Sequence, residues 1–298
     1  MDSVGKRIQS NVTLLCVLAI CVLPWPSGCS KYTNYDDPRG PLSWFVSKGS
    51  PLYHGQHIGV VSYNIELGKK LDQIINELQE DSVWLNADII LLQETELAGV
   101  MRIAKIRNLN YAYYPSAVHS KRKNAFGNAI LSRWPLKDPV KIVLPHLDPI
   151  RKQVRIGTAA TVIIDNREIR VVSTHTEMYR MGLGSRLDQI DSLVAAIDTS
   201  FEYVIVGGDF NTVLHYVLRR FDESFEKIGL IRASEGAGPT TVLDPLGLIK
   251  LDLDHIYTKG FIVGGKGVMR YTKASDHHPV WITCRFAGQR RLESMQRD

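Results

Sequence analysis

Phe126-Gly127-Asn128-Ala129-Ile130-Leu131-Ser132, Arg155-Ile156-Gly157-Thr158-Ala159-Ala160-Thr161-Val162-Ile163-Ile164 and Ile169-Arg170-Val171-Val172-Ser173-Thr174 are three β-rich runs with no amphipathic helix between them. Parallel neighbours need a long crossover, usually a helix, so these runs pair as hairpins or a meander. A purely parallel, doubly wound sheet is excluded. Working outward, further strands are expected at 58–63, 88–93, 203–207, 253–257 and 280–285. Helices are expected at 70–85, where Leu71, Ile74, Ile75 and Leu78 recur at three- and four-residue spacing, and at 185–197. An α/β domain over 57–287 accommodates this pattern, with two mixed β-sheets packed face to face and helices outside.

The amino terminus reads differently. Lys6 and Arg7 precede an apolar stretch, 12–23, too short to cross a bilayer as a helix. That layout is a signal peptide, assigned to 1–28. Ser27 and Gly28 before Cys29 resemble the lipobox of bacterial lipoproteins, which implies cleavage and lipidation at Cys29; a plain secretory signal or an uncleaved anchor is the alternative. The expectation is an exported, membrane-anchored protein facing the periplasm or cell exterior. Residues 29–56, rich in Pro, Gly, Ser, Tyr and Asp, read as a lipid-anchored tether, and 288–298 as a polar tail. Cys16 and Cys21 would leave with the leader, so Cys284 has no disulfide partner once Cys29 is acylated. The formal charge is +5. This permits an anionic substrate but lacks the concentrated basic field that marks a nucleic-acid binder by itself.

Six short motifs sit at expected strand ends: Ser62-Tyr63-Asn64-Ile65-Glu66, Leu91-Leu92-Gln93-Glu94-Thr95, Val172-Ser173-Thr174-His175-Thr176, Gly207-Gly208-Asp209-Phe210-Asn211, Leu253-Asp254-His255-Ile256-Tyr257 and Ser275-Asp276-His277-His278-Pro279. Strand ends are where rigid backbone aims side chains into a common cleft. In this order the motifs resemble the endonuclease/exonuclease/phosphatase (DNase I-like) superfamily. The resemblance implies a four-layer α/β/β/α sandwich and a metal-dependent hydrolase that acts on phosphate esters with Mg²⁺, or Mn²⁺ as a substitute. Hard oxygen donors suit such an ion, which accepts few protein carboxylates.

By that resemblance, Glu94 is the principal metal ligand, with Asn64 and Glu66 holding or flanking the ion. Asp276 reaches a second metal or simply caps its turn. Asp209 meets the attacking water and Asn211 donates to a phosphate oxygen. Asp254 orients His277, the terminal catalytic histidine, and His175 donates to a phosphate oxygen or the leaving group. Either Asp209 or the His277–Asp254 pair is the general base. Asn128 contacts the scissile group or is structural. His255 and His278, pointing away by strand alternation, are read as structural, Asp252 as solvated, and Arg186 and Gln189 as helix packing.

Lys121-Arg122-Lys123 forms a basic loop, which Arg151, Lys152, Arg219 and Arg220 extend if they share its face. Lys121 and Arg122 are therefore substrate-contact candidates. An exported nuclease acting on DNA ranks first, a sphingomyelinase-type phospholipid phosphodiesterase second and a small-molecule phosphatase third; an inactive surface-binding protein is the alternative of a different class. A monomer is expected.

Overall fold

The computed structural model describes residues 32–288 apart from 48, 50, 54–56, 179 and 243–247. The expected leader, Cys29 and the tail beyond residue 288 lie outside the described residues. The strands are β1 (Thr33–Asn34), β2 (Ser43–Phe45), β3 (Ile58–Asn64), β4 (Ile89–Glu96), β5 (Asn110–Val118), β6 (Ala125–Ser132), β7 (Leu136–Val143), β8 (Ile156–Ile164), β9 (Arg167–His175), β10 (Tyr203–Asp209), β11 (Ile231–Arg232), β12 (Thr241–Val242), β13 (Lys250–Leu251), β14 (Asp254–Lys259), β15 (Phe261–Val268) and β16 (Val280–Phe286). The helices are α1 (Leu71–Glu80), α2 (Ser82–Leu85), α3 (Leu97–Arg107), α4 (Leu183–Ala196) and α5 (His215–Glu226).

One sheet has the order β1-β5-β6-β4-β3-β16-β15, with β2 also on β5; the other runs β11-β14-β10-β9-β8-β7. Each is mixed: β3 with β4, and β9 with β10, are parallel pairs in otherwise antiparallel sheets. Three apolar layers explain the sandwich. Val60, Leu91 and Ile130 meet Ala160, Val171 and Ile205 between the sheets. Val61, Ile90 and Leu131 face Ile74, Leu78 and Ile103 of α1 and α3. Val172, Val204 and Tyr257 face Ile190, Leu193, Phe221 and Phe225 of α4 and α5. Strands buried on both faces read as continuous apolar runs, as Ile89-Ile90-Leu91-Leu92 does. The expected four-layer architecture is what the chain adopts.

The expected single helix over 70–85 is two. At Asp81 the backbone turns extended, and the carboxylate accepts from Val83 N at 2.8 Å and Trp84 N at 3.2 Å. An N-cap aspartate thus restarts the helix and turns Trp84 into the core. The tether also differs from expectation, because β1 and β2 pair with β5 along the edge of the first sheet. Buried Lys141, whose ammonium burial lowers to about 8, donates to Tyr35 O and Gly40 O and fastens the intervening loop. Composition hid this, since backbone pairing at an edge asks for no apolar period.

Candidate active site

The two parallel pairs deliver the site. Asn64 ends β3 opposite Gln93 of β4, and His175 ends β9 opposite Asp209 of β10, while Asp254 opens β14 on the other side of Asp209. Stacking the sheets brings these ends together: Asn64 Nδ2 donates across to Asp209 Oδ2 at 3.0 Å. Gly207 and Gly208 make this approach possible. A Cβ on Gly208 would lie 1.9 Å from Thr174 O, and one on Gly207 2.6 Å from Leu91 Cδ1. The Gly-Gly of the motif is therefore close packing between strands and sheets rather than a bend.

Glu94 sits at a break in the β4–β6 register with φ 49°, a left-handed conformation that costs a glutamate on the order of 1 kcal/mol or more. The bulge re-aims its carboxylate, which comes 3.9 Å from His175 Nδ1. Asn211, also left-handed at φ 51°, donates its amide N–H to Asp209 Oδ1 at 3.0 Å and its side-chain amide to Thr176 O at 3.0 Å.

Asp209 is the hub. His175 Nε2 lies 3.3 Å and His277 Nε2 3.7 Å from its Oδ2. Burial pushes its pKa up to about 7; the His277 charge pulls down and the Asp254 charge pushes up, and the hydrogen bonds from Asn64 and Asn211 pull down. His277 Nδ1–H donates to Asp254 Oδ2 at 2.7 Å. Burial opposes the imidazolium charge, but the carboxylates of Asp254 and Asp209 outweigh it and hold the His277 pKa well above its ordinary value. Burial first, and then the Arg155 charge, hold His175 well below its own.

Arg155, Glu177 and Thr240 lie outside the motifs, and Ser275, inside the sixth, carried no expected role. Buried Arg155 donates to Glu177 at 2.9 and 3.3 Å and, through a terminal nitrogen, to His175 Nδ1 at 3.1 Å. A guanidinium only donates, so His175 Nδ1 is the acceptor and its ring hydrogen sits on Nε2, towards Asp209. Ser275 Oγ donates to Asn64 O at 2.7 Å and accepts from His277 N at 3.2 Å. Thr240 Oγ1 accepts from Asp254 N at 3.2 Å. Arg186 and Gln189, expected to pack, grip the loops that bear the site: Arg186 donates to Phe210 O and Asn211 O, and Gln189 accepts from Glu177 N.

Of the expected site residues, Asn64, Glu94, His175, Asp209, Asn211, Asp254 and His277 converge. Asp276 is exposed beside them, and its charge and that of His277 both act on Glu94, whose pKa burial raises. Glu66 turns its carboxylate to Lys69 and serves Asn64 by its backbone, its N–H donating to Asn64 Oδ1 at 3.1 Å. Asn128 donates to Ile156 O at 2.7 Å and lines a small cleft with Glu94, Arg155 and His175. Lys121 and Arg122 lie on the exposed β5–β6 turn, Arg122 paired with Glu96 at 3.3 Å. Arg219 and Arg220 are on α5, where Arg220 pairs with Glu223. His255 is buried, with Nε2 2.7 Å from Thr212 Oγ1. His278 donates its N–H to Thr240 O, next to the two-stranded ribbon that β12 and β13 form. Asp252, expected to be solvated, is half-buried, and burial raises it to about 7.

The Endonuclease/Exonuclease/phosphatase family model matches residues 61–277, from the first motif to His277 of the sixth. The chain belongs to this family. Members of the endonuclease/exonuclease/phosphatase family are phosphoesterase hydrolases. A UPF0294 protein of Vibrio vulnificus (strain CMCP6) is 30% identical over 139 residues, 46% of this chain and 47% of that one. The chain thus spans about half the length of the curated relatives it matches. An endonuclease/exonuclease/phosphatase from Beutenbergia cavernae has a TM-score of 0.60 at 18% identity, over 77% of this chain and 72% of that one. A mannosyl-6-phosphatase of Bacteroides thetaiotaomicron matches at TM-score 0.60 and 18% identity, over 77% of this chain and all of that one. D. rerio TDP2 complexed with a single-strand DNA product matches at TM-score 0.58 and 16% identity, over 77% and 99%. At these identities the likeness is one of fold. Asp209, Asp254 and His277 bring one ligand-type atom each to within 4.8 Å of one another.

Proposed function

We propose that the chain is an exported, divalent-metal-dependent phosphoesterase that hydrolyses phosphodiester bonds with a water activated at Asp209. The observation that carries this reading is the division of labour around that carboxylate. His277 is held protonated by Asp254, and the acceptor nitrogen of His175 is occupied by Arg155. Asp209 is the acceptor left at the centre, and a pKa near 7 matches a general base at neutral pH. His277, charged and 3.7 Å away, supplies the proton or positive charge for a leaving alkoxide.

The donor set fits a hard divalent cation. Glu94, Asp209, Asp254 and Asp276 bring more negative charge than His277 offsets, since Arg155 is matched by Glu177, and Asp254 Oδ1 is buried without a hydrogen-bond partner among the described residues. Glu94 and Asn64 would hold Mg²⁺, or Mn²⁺ in its place, with Asp276 at the mouth and the Asp209 group beside them. Bound there, the ion supplies a Lewis acid that neutralises phosphate oxygens. The nuclease reading draws on the Lys121–Lys123 turn; Arg122 is partly spent on Glu96.

Turnover of bis(p-nitrophenyl) phosphate by the full chain tests the proposal. Activity should require Mg²⁺ or Mn²⁺, vanish on chelation and return with the ion. His277→Ala should lower kcat by about 100-fold or more while the circular dichroism spectrum persists. Unchanged turnover in that variant overturns the reading.

A further inference from the structure

The described chain enters the fold at the rim of the active site. Tyr32 donates its N–H to Arg151 O at 3.3 Å and sets its ring edge-on against His119 and Phe126, at 5.4 and 5.9 Å between centroids. Burial raises its hydroxyl, which also feels the charges of Glu94 and Arg155. Two residues on, Asn34 donates to Lys152 O at 2.8 Å and accepts from Val154 N at 3.0 Å. The incoming segment is therefore stapled to the turn between β7 and β8.

That turn is built rather than loose. Buried Asp148 accepts from Ile150 N at 2.8 Å and from Arg151 N, and its backbone bonds Lys152 N and Gln153 O at 2.9 Å each. The construction presents Leu147, 45% exposed, and Ile150, 53% exposed, to solvent, followed by exposed Arg151 and Lys152. Gln153 and Arg155, the next residues along, line the cleft with Glu94 and His175. The exposed Lys121-Arg122-Lys123 turn joins β5 and β6 next to His119, against which Tyr32 packs. One rim thus gathers two apolar side chains, five basic ones, the catalytic mouth and the point where the chain arrives.

An anchor at Cys29 or through the apolar stretch would hold that rim near a membrane. At about 3.6 Å per residue, Cys29 is within about 11 Å of Tyr32, and an anchor ending at Leu23 is within about 30 Å. A nucleic acid in solution would use the basic residues but give Leu147 and Ile150 nothing to do. An anionic lipid surface uses both, apolar side chains in the acyl boundary and cations at the phosphates.

We propose that this rim docks on an anionic phospholipid surface, Leu147 and Ile150 entering its apolar boundary and Arg151, Lys152 and the Lys121–Lys123 turn meeting its phosphates, so that the mouth opens onto phosphate esters carried on lipid headgroups. The substrate part rests on the phosphoesterase reading above; the docking part does not.

The test uses the full chain, produced in an exporting host, extracted from its membranes and reconstituted into phosphatidylglycerol/phosphatidylcholine nanodiscs. Ile150→Trp should gain fluorescence that brominated acyl chains quench, whereas Ile262→Trp, on the edge strand β15 at the other side of the first sheet, should gain fluorescence they spare. Equal response at the two positions, or a chain recovered wholly soluble, overturns docking. Leu147→Asp with Ile150→Asp should lower hydrolysis of the vesicle lipid by about tenfold or more, with turnover of bis(p-nitrophenyl) phosphate unchanged. Equal lipid hydrolysis by parent and double variant, or cleavage of free duplex DNA in preference to lipid, overturns the substrate class. A parent that docks but turns over neither compound sinks the phosphoesterase reading instead.

Discussion

Replacing Arg155 by methionine isolates what the buried cation does. Its guanidinium has a side-chain exposure of 7% and Glu177 one of 0%, so the pair is out of water. In Arg155→Met the Glu177 carboxylate keeps the hydrogen bond from Met178 N at 2.9 Å but loses its countercharge. Breaking a buried pair from one side costs about 3–5 kcal/mol, because an uncompensated charge stays behind. In a domain of this size each kcal/mol moves the melting temperature by about 2–4 °C, so a fall of about 6–20 °C is expected. Removing both charges, in Arg155→Met with Glu177→Gln, should recover most of the loss, as matched removal of buried pairs is often near neutral. Urea denaturation of the four proteins closes a double-mutant cycle, with an expected coupling of about 2 kcal/mol or more. The variant also frees His175 Nδ1, so the ring should populate both tautomers, read from its ¹⁵N shifts. A stability loss under about 1 kcal/mol together with an unchanged tautomer would refute the assigned role.

Asp209 sets a pH dependence whose sign is fixed. Its folded pKa, about 7, lies above its ordinary value, so the stability it contributes is complete below about pH 4 and is lost as pH rises through 7. His175 and His255, held below the ordinary histidine value, act in the opposite direction over the same range, so the expected outcome is comparative: between pH 5 and pH 8, metal-free Asp209→Asn should lose less stability, or gain more, than the parent. Identical slopes in denaturant titrations of the two proteins would contradict the assignment. Gly208→Ala, whose Cβ would meet Thr174 O at 1.9 Å, should cost about 3 kcal/mol or more; a midpoint equal to the parent's would show that the strands can part.

The sandwich was legible because its strands are short apolar runs that end in polar clusters, and the missing helix between 126 and 174 ruled out a parallel sheet. Other elements left weaker marks. Strand β15 reads Phe-Ile-Val-Gly-Gly-Lys-Gly-Val, and its glycines, which lie flat against Trp281 and Thr283, mimic a loop. Helix α3 contains Gly99 and Ala104 at buried positions where a larger residue would have signalled an apolar face. The site was legible where it sits on motifs, but Arg155 and Glu177 are 22 residues apart and meet only because β8 and β9 are antiparallel neighbours. An arginine at the head of an otherwise apolar strand, and a glutamate two residues after His175, were the available signals. The motif also gave no sign of what Glu66 does in the turn at Glu66–Gly68, where its N–H serves Asn64 and its carboxylate pairs with Lys69.

Water activation in this site requires Asp209 to accept the water's proton. The deciding measurement is kcat for bis(p-nitrophenyl) phosphate with Mg²⁺, compared between the parent and Asp209→Asn under saturating ion. A fall of about 10²–10⁴-fold with the fold retained is predicted. A rate within about tenfold of the parent would contradict it, because the asparagine carbonyl accepts a hydrogen bond but is far too weakly basic to take that proton.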